Sequence, residues 1–193
     1  ILVMAAFGLP GAVLQYAGWA VAMQLWFLAV YVLVVYLTPI AVAALRHWGL
    51  WAPAVLGAAV ALTDVLTIAV HIPYVMWLNY LFCWGALYLL GIAWQQGLLS
   101  RRLAVVLAVV SAVALALLIG VGPFPVSMIS VTGQTIQNSS PPSVAMLAFA
   151  CAQTGLAVLL APALNRALRG EKVQRLYACG AAWLRGEDHG WTG

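Results

Sequence analysis

Residues Trp77 to Arg102 read WLNYLFCWGALYLLGIAWQQGLLSRR. From Trp77 to Gly97 this stretch carries no Asp, Glu, Lys or Arg, and it supplies the roughly 20 apolar residues, at about 1.5 Å of rise each, that a helix needs to cross a bilayer. It is read as a transmembrane helix over 77–97. Trp77 and Trp94 then fall at the two headgroup levels, where an amphipathic indole ring is favoured. Arg101 and Arg102 follow one end only, so the positive-inside rule assigns that end to the cytoplasm and the Asn79 end to the outside.

The rest of the composition agrees with a membrane protein. The chain has 193 residues, 66% hydrophobic and 6% charged, with a mean hydropathy of +1.06, whereas soluble domains carry about 25% charged residues. A net charge of +4 could indicate nucleic acid, but all eight Lys and Arg lie between or after apolar runs, where topology accounts for them, and no nucleic-acid partner is expected. Cys83, Cys151 and Cys179 are odd in number and widely spaced, which suits neither a disulfide framework nor a zinc site. No P-loop, G-x-G-x-x-G, H-E-x-x-H or G-x-S-x-G pattern is present.

Working outward from 77–97, the expected fold is an all-α polytopic bundle of five spans, at 24–45, 51–70, 77–97, 103–121 and 143–165, together making a transmembrane domain over 1–169. The opening run ILVMAAFG, closed by Leu9-Pro10-Gly11, is read as the outer end of a cut helix in a chain whose upstream part is missing, and 12–23 as lying near the outer surface. Pro39 should kink the first span. Ala104, Ala108, Ala112, Ala116 and Gly120 recur every four residues, a row of small side chains that lets a second helix approach closely. The loop Gly122 to Pro142 is polar but uncharged, and Ser140 is expected to cap the last helix with Pro141 or Pro142 at its first position. Residues 170–193 are read as a cytoplasmic tail.

Candidate chemistry is confined to polar groups within or beside the spans. Asp64 is the one acid inside a span, and at the bilayer centre it would cost about 2.5–3.5 kcal/mol unless it faced protein or water. Thr67 and His71 follow at i+3 and i+7 on the same helical face, so Asp64 and His71 are the catalytic candidates, as a carboxylate orienting an imidazole for proton transfer. The plainer alternative is that Asp64 makes a buried hydrogen bond between two helices, with a partner at Asn79 or Tyr80 on the antiparallel neighbour. Tyr80, Trp84 and Tyr88 lie at i, i+4 and i+8, a packing face or a platform for an acyl chain or sugar. Gln153 needs a partner in lipid and is expected to face another helix or line a cavity. Asn138-Ser139-Ser140 has the form of a glycosylation sequon.

Several ordered segments resemble bacterial multi-pass membrane acyltransferases of the acyltransferase 3 family, over Leu25 to Arg169. They are Leu25 to Tyr31 with Thr38-Pro39, Asp64 in its apolar helix, Trp77-Leu78-Asn79-Tyr80-Leu81, Leu90-Gly91 with Trp94 and Gly97, Pro125 to Met128, Asn138 to Pro142, and Gln153-Thr154-Gly155-Leu156. The resemblance implies transfer of an acyl group from acyl-CoA to a hydroxyl of a sugar, glycolipid or other small acceptor, in the cell membrane and without a bound cofactor or metal. Asn79, Tyr80, Tyr88, Asn138 and Gln153 are the substrate-binding candidates. The family's Arg-His element lies upstream of the matched region, and no residue here is assigned to it, so the present chain alone is expected to be inactive. Relatives often carry His-Gln where this chain has Tyr88-Leu89, and a basic residue near the place of Thr67. A non-enzymatic membrane module, a transporter or assembly subunit with Asp64 and Gln153 lining a path, is the alternative.

The charge asymmetry predicts that single cysteines at Gln137 and Ser100, in a background lacking the three native ones, react with an impermeant reagent from opposite sides of the membrane. Reaction of both from one side would contradict the five-span count.

Overall fold

In the computed structural model, residues 28–128 and 136–169 are described. The expectations for the cut helix, for 12–23 and for the tail after 169 lie outside them, as do residues 129–135 of the long loop. Every regular element among the described residues is helical: α1 (Leu28–Tyr36), α2 (Thr38–Trp48), α3 (Trp51–Ile68), a 3-10 turn (Val75–Leu78) running into α4 (Asn79–Gln95), α5 (Arg101–Gly120) and α6 (Val144–Leu168). By length and composition four of these spans can cross a membrane, or five when α1 and α2 count as one broken span. The all-α polytopic reading therefore holds.

The first span bends where Pro39 was expected to kink it. It breaks at Leu37 into two helices bent by 56° and continues to Trp48. Thr38 and Pro39 occupy the first turn of α2, and Pro39, with no N–H to give the Val35 carbonyl, lies just beyond the bend. Gly49 closes α2 at φ 55°, and its N–H donates to the Leu45 carbonyl. At the end of α4, Gly97 adopts φ 75°. Its N–H reaches the Trp94 carbonyl at 2.9 Å while the Leu98 N–H reaches that of Ala93 at 2.9 Å, the paired bonds of a Schellman turn. Ser100 then caps α5 by accepting from the Leu103 N–H.

Helices α3 and α4 pack as antiparallel neighbours, Leu56 lying against Gly85 and Asp64 against Asn79. Toward the Arg46 end their core holds Leu45, Ala52, Leu89, Leu90, Ala93 and Leu99. Further along, Val60, Cys83, Ala86 and Leu147 form a second cluster that brings in α6. Helices α5 and α6 form the other close pair. A Cβ placed on Gly155 would sit 2.7 Å from the Ala104 carbonyl oxygen and 2.7 Å from the Ala108 nitrogen, so only glycine permits this approach.

The row of small residues is thus a seam at Ala104 and Ala108, while Ala112, Ala116 and Gly120 are exposed. Four residues turn a helix through about 400°, so a strict four-residue row winds away from any straight partner. Leu117, Val113, Val109 and many other large apolar side chains are also exposed, as expected where hydrocarbon takes the place of water.

Candidate functional site

Where α3, α4 and α6 meet, the carboxylate of Asp64 is 2% exposed and bonded through both oxygens. Oδ1 accepts from Asn79 Nδ2 at 2.7 Å, and Oδ2 accepts from the backbone N–H of Val144 at 2.7 Å. Val144 opens α6, and its N–H is one of the donors that every helix leaves without an internal partner. An anion there is also favoured by the helix dipole. Asn79, itself fully buried, is fixed from its other side, because the Thr63 hydroxyl donates to its amide oxygen while lying 2.8 Å from the Val60 carbonyl. Three helices are therefore joined through one carboxylate and one amide.

The expected contact between Asp64 and the central helix forms at Asn79 and not at Tyr80. The Tyr80 hydroxyl pairs instead with that of Ser140 at 2.8 Å, tying the start of α4 to the long loop. The loop has its own fastener in Asn138, which is fully buried. Its Nδ2 donates to the carbonyls of Pro125 at 2.7 Å and Ser127 at 2.9 Å, and its Oδ1 accepts from the Ser143 hydroxyl at 2.8 Å. An amide so enclosed is a structural group, which removes the sequon as a glycan acceptor.

Three further expectations are corrected. Ser143, not Ser140, caps α6, accepting from the Met146 N–H at 3.3 Å. Pro141 and Pro142 precede the helix, Pro142 being fully buried, so neither takes its first position. His71 does not share a helical face with Asp64, because α3 ends at Ile68 and His71 lies beyond it at φ 61°, exposed. Thr67 spends its hydroxyl on the Thr63 carbonyl at 2.8 Å, as in-helix threonines do. Gln153 is exposed on α6.

Tyr80 and Tyr88 point their hydroxyls to different partners, Ser140 and Thr38. Tyr88 also lines an apolar groove of about 510 Å³ between α1–α2 and α3–α4, walled by Val34, Ile40, Trp48, Trp51, Phe82 and Leu89 among others. A second apolar hollow, of about 300 Å³, lies among α3, α4, α5 and α6 beside Cys151. Among the described residues no three His, Cys, Asp or Glu side chains come together to hold a metal ion.

No family model, curated protein or solved structure matches the chain.

Sequence reasoning found Asp64 and Asn79 but missed Val144, Thr63 and Ser143. The signal for Ser143 was available, since it stands immediately before the apolar run of α6, the usual place of a capping serine.

Replacing Asp64 by leucine leaves the Asn79 amide and the Val144 N–H buried without acceptors, at about 1–3 kcal/mol each. Asp64→Asn is predicted to be far milder, because the Asn79 amide can turn over and still bond both neighbours. Unfolding titrations in detergent should therefore rank wild type above Asp64→Asn and both well above Asp64→Leu. Equal loss in the two variants would show that the charge, and not the hydrogen bonding, holds the junction.

Proposed function

We propose that the chain provides transmembrane helices of an integral membrane acyltransferase that moves an acyl group from acyl-CoA to a hydroxyl of a sugar, glycolipid or other small acceptor. One observation supports this reading above others. Segments that carry the family resemblance bond to one another in the fold: Asp64 to Asn79 across one turn, Asn138 to the carbonyls of Pro125 and Ser127 within one loop, and Tyr80 to Ser140 across a longer separation. Residues that share a structural task of this kind are the ones expected to recur together in a family.

In this reading Arg46, Arg101, Arg102 and Arg166 lie on the cytoplasmic side, and the junction around Asp64 lies toward the outer face. The groove running from Trp48 and Trp51 past Tyr88 offers an apolar bed for an acyl chain. The acceptor hydroxyl oxygen attacks the thioester carbonyl carbon and the carbon–sulfur bond breaks. The hydroxyl proton ends on the departing thiolate, giving an ester and free CoA thiol. Asp64 is a positioning residue here, because both its oxygens are engaged by the scaffold.

The test uses the full-length protein in nanodiscs, supplied with radiolabelled acetyl-CoA or palmitoyl-CoA and a panel of mono- and disaccharides and extracted glycolipids. Acceptor-dependent release of CoA thiol, matched by label in an alkali-labile ester, is the predicted result. Thiol release no faster than with empty nanodiscs across the panel would overturn the proposal.

A further inference from the structure

The junction between α1 and α2 contains a second polar relay, independent of Asp64. Pro39 has no N–H, so the carbonyl four residues earlier, on Val35, loses the partner that an unbroken helix would supply. The Thr38 hydroxyl takes that place, donating to the Val35 carbonyl at 2.5 Å. A hydroxyl has a single proton. In the 2.7 Å contact between Thr38 and Tyr88, Tyr88 must therefore be the donor and Thr38 the acceptor. The result is a directed chain, from the α4 phenol to the threonine and on to the carbonyl exposed by the bend.

We propose that Tyr88 is a latch that holds the α1–α2 bend and thereby sets the width of the apolar groove. The groove takes walls from both limbs of the bend, Val34 on α1 and Ile40, Ala44 and Trp48 on α2, together with Leu37 at the break. Its opposite wall on α4 includes Tyr88 itself. A change in the bend angle must then change the groove, and the Tyr88 bond is a polar link between the bend and α4. Straightening nine residues of α1 through 56° would carry the Leu28 end by about 12 Å. In hydrocarbon no water is at hand to replace the phenol as donor, so the bond is a switch with two distinct states, made and unmade. The inference stands whether or not the protein transfers acyl groups.

Pulsed electron–electron resonance on the full chain in nanodiscs tests it. Nitroxides at Leu28 and Leu62, both exposed, report the bend, and a pair at Val110 and Leu160 reports the α5–α6 unit as a control. The background carries Cys83→Ala, Cys151→Ala and Cys179→Ala. Tyr88→Phe keeps the ring and removes only the donor. It should shift and broaden the Leu28–Leu62 distances, by up to about 12 Å, and leave the control pair unchanged. Thr38→Val should do the same, whereas Thr38→Ser, which keeps the hydroxyl, should reproduce the parent distribution. A Tyr88→Phe trace that overlays the parent overturns the latch. So does a change in both pairs together, which would mean that Tyr88 supports the whole fold and not the bend.

Discussion

Hydrocarbon offers a buried polar group no water, and the architecture follows from how one carboxylate meets that constraint. Asp64 is satisfied by a side-chain amide from the neighbouring helix and a main-chain N–H from the last one. Each partner has an unmet need of its own: Asn79 requires an acceptor inside the bundle, and the first turn of α6 has donors with no carbonyls to reach. One anion settles both, so the position of α6 relative to α3 and α4 is specified by hydrogen-bond geometry. Apolar contact alone specifies little in a bilayer, where lipid tails are as good a neighbour as leucine.

The other contacts respect the same logic at smaller scale. Gly155 lets α6 lie directly on the backbone of α5, so dispersion between close backbones does the work that the hydrophobic effect would do in water. Asn138 spends its whole amide on the ends of the long loop, and Ser143 then starts α6 with a side-chain cap. At the other break, Thr38 supplies the proton that Pro39 withholds. Polar side chains are scarce in this chain, and those at the breaks and helix starts complete the backbone where helices stop, start or bend.

How much of this was legible depended on whether the signal was one-dimensional. Span positions followed from hydropathy, because a run such as Trp77 to Gly97 has a single physical solution in a bilayer. The pairing of Asp64 with Asn79 could also be reached, since a short turn forces α3 and α4 to be antiparallel and equal rise brings the two to one depth. The Val144 partner could not, because it lies 80 residues away and is a backbone group without a sequence signature. His71 was misplaced by extending the helical period past a stop that Ile72-Pro73 and the left-handed turn at His71 enforce.

The central claim is that Asp64 and Asn79 act as one unit holding three helices in register. A double-mutant cycle measures this directly, by reversible unfolding in mixed micelles of wild type, Asp64→Ala, Asn79→Ala and the double variant. Contacting polar partners of this kind couple by about 0.5–3 kcal/mol. The account predicts that the double variant is more stable than the sum of the single losses implies, by at least about 1 kcal/mol, because removing the second partner of a broken pair costs little. Strict additivity of the two losses would contradict it.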